Sequence, residues 1–136
     1  VAFGDSHWGQ PLQPDESVES IAGTLVTEIR KIQPTGPYFL VGWSLGGYLA
    51  LEAAIQLEAM GASTKMMRNK AYRGRVELIK ALRAHSGDVT APIDNPTNSW
   101  GGILPQIKVH GFDALHRTMF SYENGPKMGV MIALYE

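Results

Sequence analysis

Residues Gly42-Trp43-Ser44-Leu45-Gly46 fit the spacing G-x-S-x-G, and Gly47 follows directly. An apolar run precedes the serine and an Ala/Leu-rich run follows it, so the serine falls between a strand and a helix. A reversal that sharp brings side chains two positions either side of the serine into collision, and glycine at 42 and 46 relieves it. Ser44 can then hold a strained backbone conformation with its hydroxyl exposed. The Leu45 amide opens the next helix and can donate to an oxyanion, assisted by the helix dipole. This arrangement points to acyl transfer through an acyl-serine. The plain alternative is a strand-to-helix turn with a capping serine.

A serine hydroxyl needs a general base, and four histidines offer one. His7 lies in an early loop, ahead of the serine. His85 follows a candidate strand and precedes Ser86-Gly87-Asp88. His110 stands at the end of the last candidate strand, where it could simply line the sheet edge. His116 lies after that strand and before the closing helix, the place where a chain ordered Ser…acid…His delivers its base. The reading therefore selects His116. For the acid, Asp88 and Asp94 follow a candidate strand, and Asp113 is close to His116 in sequence. Asp88 and Asp94 read first as solvated loop carboxylates, Asp113 could touch His116 but as a local acid of weaker geometry, and none is assigned.

These groups need a scaffold. In "DESVESIAGTLVTEIRKIQ" apolar side chains at Val18, Ile21, Ala22, Leu25, Val26, Ile29 and Ile32 form one helical stripe. Asp15 and Ser17 offer N-cap oxygens, and Pro34 with Gly36 ends the helix. Tyr38-Phe39-Leu40-Val41 lacks alternation, so the spacing predicts a strand covered on both faces. A second helix is expected from Leu45 to Met60, with Gly61 beyond it. Helix, buried strand, helix is the alternation of an α/β sheet. Residues 1–4 read as the end of a strand, 75–81 and 106–109 as two further strands, and 126–135 as a closing helix. Residues 85–105 and 111–123 read as loops. The expectation is one domain over 1–136.

Composition bounds the partners. The chain has 136 residues, 44% apolar and 18% charged, with a formal net charge of -1. That composition is globular, and no basic field for nucleic acid or an anionic membrane is present. The absence of cysteine excludes disulfides, thiolate metal sites and cysteine nucleophiles, and is compatible with a cytoplasmic location. No apolar run reaches the roughly 18 residues of a membrane span. No signal peptide is visible, and without an initiating Met the chain reads as an excised or processed piece.

"KIQPTGPYFLVGWSLGGYLALEAAIQLEAMG" resembles the nucleophile region of type I thioesterase domains, which end nonribosomal peptide and polyketide assembly lines. "ESVESIAGTLVTEIRKIQPTGPY" resembles the helix they place before it, and "YRGRVELIKALRA" a later strand. The Trp100-Gly101 loop is similar to the segment after that strand. "VHGFDALHRTMF" resembles their histidine loop, with His116 and Met119 keeping its spacing, although Gly111 stands farther from His116 than the family's Gly does from its His.

The resemblance implies an α/β-hydrolase fold, a mostly parallel sheet flanked by helices, in a family whose members usually exceed about 200 residues. It implies that the first strands, the acid-bearing strand and the mobile lid are missing from the text, with a gap near 61–63. It also implies a serine thioesterase in which Ser44 and His116 release an acyl or peptidyl chain by hydrolysis or cyclisation. The substrate would ride on the phosphopantetheine arm of a carrier domain, with no cofactor of the enzyme's own. Lys65, Arg68, Lys70, Arg73 and Arg75 could meet an acidic carrier or form a solvated basic surface. Another esterase or editing thioesterase on the same fold, and an inactive binding module, remain open alternatives.

Overall fold

The computed structural model describes residues 16–61, 72, 74–83 and 96–135. The chain divides into two compact units, Val1–Tyr72 and Arg73–Glu136.

The first unit is built on two helices, α1 (Val18–Ile32) and α2 (Leu45–Gly61). Ser17 caps α1 reciprocally with Ser20: each side-chain oxygen accepts the other's backbone amide at 3.1 Å, which satisfies two of the orphan donors of a helix start. The α1 stripe meets the small-residue face of α2. Ala22, Val26, Ala53 and Leu57 form the core, and full burial of a side chain such as Val26 contributes about 2 kcal/mol. Gln56 ties the pair polarly, donating to the Glu19 carbonyl at 2.9 Å. Residue 61 is the last of α2 rather than the position after it.

The expected strand at 38–41 takes a different form. These residues join no ladder among the described residues. Tyr38 and Leu40 pack on the helical core, while Phe39 and Val41 are about half exposed (49% and 55%). The segment therefore alternates between a covered and an open face, and its continuous apolarity does not correspond to burial on both.

The second unit holds a parallel pair, β1 (Glu77–Arg83) and β2 (Lys108–Leu115), with α3 (Gly125–Ala133). Phe112 and Ala114 on β2 pack with Met119 and Met128, flanked by Ile79 and Ala81 of β1. Both strand expectations are corrected. β1 starts and ends two residues later than the expected 75–81, and β2 begins at Lys108 and runs on through residues assigned to a loop. Gly111 looks like a turn residue, yet it sits mid-strand, where a Cβ would meet the movable end of the half-exposed Leu82 side chain at 2.8 Å. The closing helix begins one residue before the expected start and ends at Ala133. Between the strands, Trp100–Gly102 forms a 3-10 turn entered through Asn98 and Ser99, both at positive φ. Residues 1–4, and the suspected junction beyond Gly61, lie outside the described residues.

Candidate active site

Ser44 has φ 56°, the left-handed region that a residue with a Cβ enters at a cost of about 1–2 kcal/mol. The surrounding turn enforces it. A Cβ on Gly42 would sit 2.0 Å from the Gly46 carbonyl oxygen and 2.6 Å from the Gly47 amide nitrogen. The strand end and the helix start thus touch backbone to backbone, which only glycine at 42 permits. The steric account is corrected for the other glycine, since a Cβ on Gly46 would meet nothing within 4 Å. Gly46 and Gly47 donate to the Trp43 and Ser44 carbonyls, each at 2.9 Å. The Leu45 amide has no backbone acceptor among the described residues, so it remains a donor at the positive end of α2. Trp43 and Leu45 are both partly exposed beside the serine.

His116 belongs to the second unit and immediately follows the carboxyl end of β2. Its side chain is exposed, but its backbone is held on several sides. It opens a 3-10 turn, His116–Thr118. The Thr118 hydroxyl donates to the Leu115 carbonyl at 3.2 Å, and Asn124 Nδ2 donates to the Thr118 carbonyl at 3.0 Å. Met119, next along, is 4% exposed and locked in the core. The imidazole is thus presented from a turn whose backbone is held in place.

The other candidates are used elsewhere. His110 is the third residue of β2, paired with Ile79, not the last residue of a strand. Its Nε2 lies 2.6 Å from Glu77 Oε2 and its Nδ1 2.9 Å from the Tyr135 hydroxyl. Arg75 and His110 bonded to the Glu77 carboxylate hold its pKa below the ordinary value. An ionised carboxylate only accepts, so Nε2 carries a proton and, in the neutral imidazole, Tyr135 donates to Nδ1. Arg75 donates to Glu77 at 2.7 Å and lies over the Tyr135 ring, which stacks at 4.4 Å on His110. Arg75, the one described member of the basic group, is therefore occupied.

Asp113 accepts a two-pronged bond from Arg83, 2.6 Å for each nitrogen–oxygen pair; those bonds hold its carboxyl below the usual range. It is the partner of Arg83. His7, His85, Asp88, Asp94, Lys65, Arg68, Lys70 and Arg73 lie outside the described residues. No cluster of three metal-ligating side chains exists among the described residues, and no helix there is long and apolar enough to cross a membrane.

Comparison with known proteins gives this geometry a context. The thioesterase-domain family model matches residues 4–68. A non-reducing polyketide synthase of Pseudevernia furfuracea is 60% identical over 45 residues, which are 33% of this chain and 2% of that protein. The N-(5-amino-5-carboxypentanoyl)-L-cysteinyl-D-valine synthase of Amycolatopsis lactamdurans is 43% identical over 61 residues, 45% of this chain and again 2% of that protein. The NocB thioesterase domain, solved as a covalent complex with a fluorophosphonate nocardicin G analog, superposes with a TM-score of 0.73 at 22% identity, covering 96% of this chain and 80% of its own.

The chain is similar to thioesterase domains, on an α/β-hydrolase fold.

The thioesterase-domain match spans α1 and the elbow, and His116 lies outside it. The sequence pointed to the elbow and to the histidine turn. It missed the Glu77–His110–Tyr135 and Arg83–Asp113 pairings, whose members lie 25 to 33 residues apart and leave no local signal.

Proposed function

We propose that the chain is the acyl-transfer part of a serine thioesterase, which releases an acyl or peptidyl group from the phosphopantetheine thioester of a carrier domain. His116 accepts the Ser44 proton as Oγ attacks the thioester carbonyl. The Leu45 amide donates to the oxyanion as it forms. Collapse breaks the carbon–sulfur bond, and the thiolate leaves with the proton from the imidazolium. Water, or an amine or hydroxyl of the acyl chain, then attacks the acyl-serine with His116 again as base, giving hydrolysis or ring closure.

The observation that carries this reading is the left-handed Ser44, held by a turn in which Gly42 leaves no room for a Cβ. Strain of this kind on a residue other than glycine persists where the surroundings impose it, and it clusters at reactive sites. Support for the thioester and the carrier comes from the synthases to which part of the chain is similar.

A fluorophosphonate probe tests the serine in the intact chain. Labelling lost in Ser44→Ala is expected, and an intact chain that takes no label overturns the proposal. Acyl transfer from carrier-bound thioesters, compared with simple esters of the same acyl group, then separates a thioesterase from a general esterase. Faster turnover of the esters would reject the carrier assignment.

A further inference from the structure

β1 and β2 lose register at their carboxyl ends. Ala81 faces Phe112, but Arg83 faces Leu115. Two steps along β1 match three along β2, so β2 carries an extra residue between Phe112 and Leu115. A bulge of this kind bends the strand and re-aims the residues beyond it. The residue directly beyond Leu115 is His116.

Across this irregularity Arg83, the last residue of β1, grips Asp113 of β2 with both nitrogens of its fork. The planar guanidinium binds the carboxylate through two parallel bonds, which restricts the geometry of the pair. The pair is exposed, at 62% and 71% of its side-chain surface, so it adds little as a surface ion pair. Its importance lies in where it sits. The 3-10 turn that begins at His116 also touches β1, and the core anchor Met119 fixes only the far end of that turn. The Thr118 hydroxyl closes its near end on the Leu115 carbonyl, and the Arg83–Asp113 pair lies just ahead of that end.

We propose that Arg83 and Asp113 are positioning residues: their paired grip sets the bulge in β2 and thereby the direction in which the chain presents His116. The proposal deepens the reading of His116 as the base and rests on it. Arg83→Lys keeps the charge and loses the fork. Asp113→Asn keeps the shape and loses the charge. The double exchange Arg83→Asp with Asp113→Arg restores a pair in reversed order.

In the intact chain, each single variant is expected to slow fluorophosphonate labelling of Ser44 about tenfold to a hundredfold, the scale of an ångström-sized misplacement. The melting temperature should stay close to that of the parent, and the exchange should recover part of the rate. The same single variants should shift the His116 ring signals in NMR, together with the pH midpoint of those signals. Single variants that label within twofold of the parent, with unmoved His116 signals, overturn the proposal, as does a loss of labelling that merely tracks a loss of folding. The NMR arm does not depend on Ser44. A parent that never labels sinks the catalytic reading, while the His116 signals still decide whether the grip sets the turn.

Discussion

Glu77 Oε2 lies 2.6 Å from His110 Nε2, and the pair stands toward the amino ends of its two strands. Glu77 opens β1, and His110 is near the start of β2. The strands are parallel, so both lie toward the amino ends, whereas open α/β sheets bind ligands beyond the carboxyl ends. Tyr135, beyond the last residue of α3, closes the set. The set is a latch that joins the end of α3 to the start of the sheet.

The latch has a pH signature of known sign. The folded-state pKa of Glu77 is depressed by Arg75 and His110. Its stabilisation is thus present above the ordinary carboxylate value of 4.5 and is lost as pH falls through the lower folded value. Glu77→Gln should reduce unfolding free energy at pH 7 by about 2 kcal/mol, as for loss of charge-assisted hydrogen bonds. The difference should shrink toward zero in acid below that folded value. Urea titrations of parent and variant at the two pH values measure it, and an equal difference at both would remove Glu77 from this role.

The two histidines should separate cleanly. His116→Ala is expected to lower the rate of Ser44 labelling by about a hundredfold or more, the contribution of a general base, with little change in melting temperature because the side chain is exposed. His110→Gln should do the reverse, lowering stability while the folded fraction labels at the parent rate. Labelling that depends on His110 would reassign the base.

Sequence made α1 and the elbow legible because their signals are local: an apolar stripe, a serine cap, and glycines next to one serine. β2 was harder. Gly111 and Asp113 look like turn residues, yet both stand in β2, where Gly111 lies beside Leu82 of β1 and Arg83 takes the Asp113 carboxylate. Extending β2 to Leu115 placed His116, rather than His110, at the carboxyl end of the sheet. No such partner could be read from a window of neighbouring residues. Asp113 carries the same lesson: closeness in sequence suggested a bond to His116, and the register of two strands gave it to Arg83.

The elbow glycines, equivalent in the motif, should differ on substitution. Gly42→Ala drives a Cβ into the Gly46 carbonyl and the Gly47 amide. Neither can yield without moving the helix start, so a loss of about 3 kcal/mol is expected, with labelling abolished even where the chain still folds. Gly46→Ala meets open space inside the first turn of α2, and alanine is the better helix former by up to about 1 kcal/mol. It should retain labelling and melt no lower than the parent. Differential scanning calorimetry with probe labelling compares them, and equal loss in both variants would contradict the steric account.

Ser44 itself should show a conflict between stability and reactivity. Its left-handed backbone suits glycine and penalises any side chain. Ser44→Gly and Ser44→Ala both remove the hydroxyl and should both abolish labelling, but only the glycine variant releases the strain. It should therefore exceed Ser44→Ala in unfolding free energy by about 1 kcal/mol. Glycine also gains freedom in the unfolded chain, which opposes the gain, so the sign of the difference is the decisive reading. A glycine variant less stable than the alanine variant would mean that the elbow does not hold Ser44 under strain. A more stable one would show that the chain keeps a serine where its own backbone favours glycine, which is expected only if the hydroxyl is used.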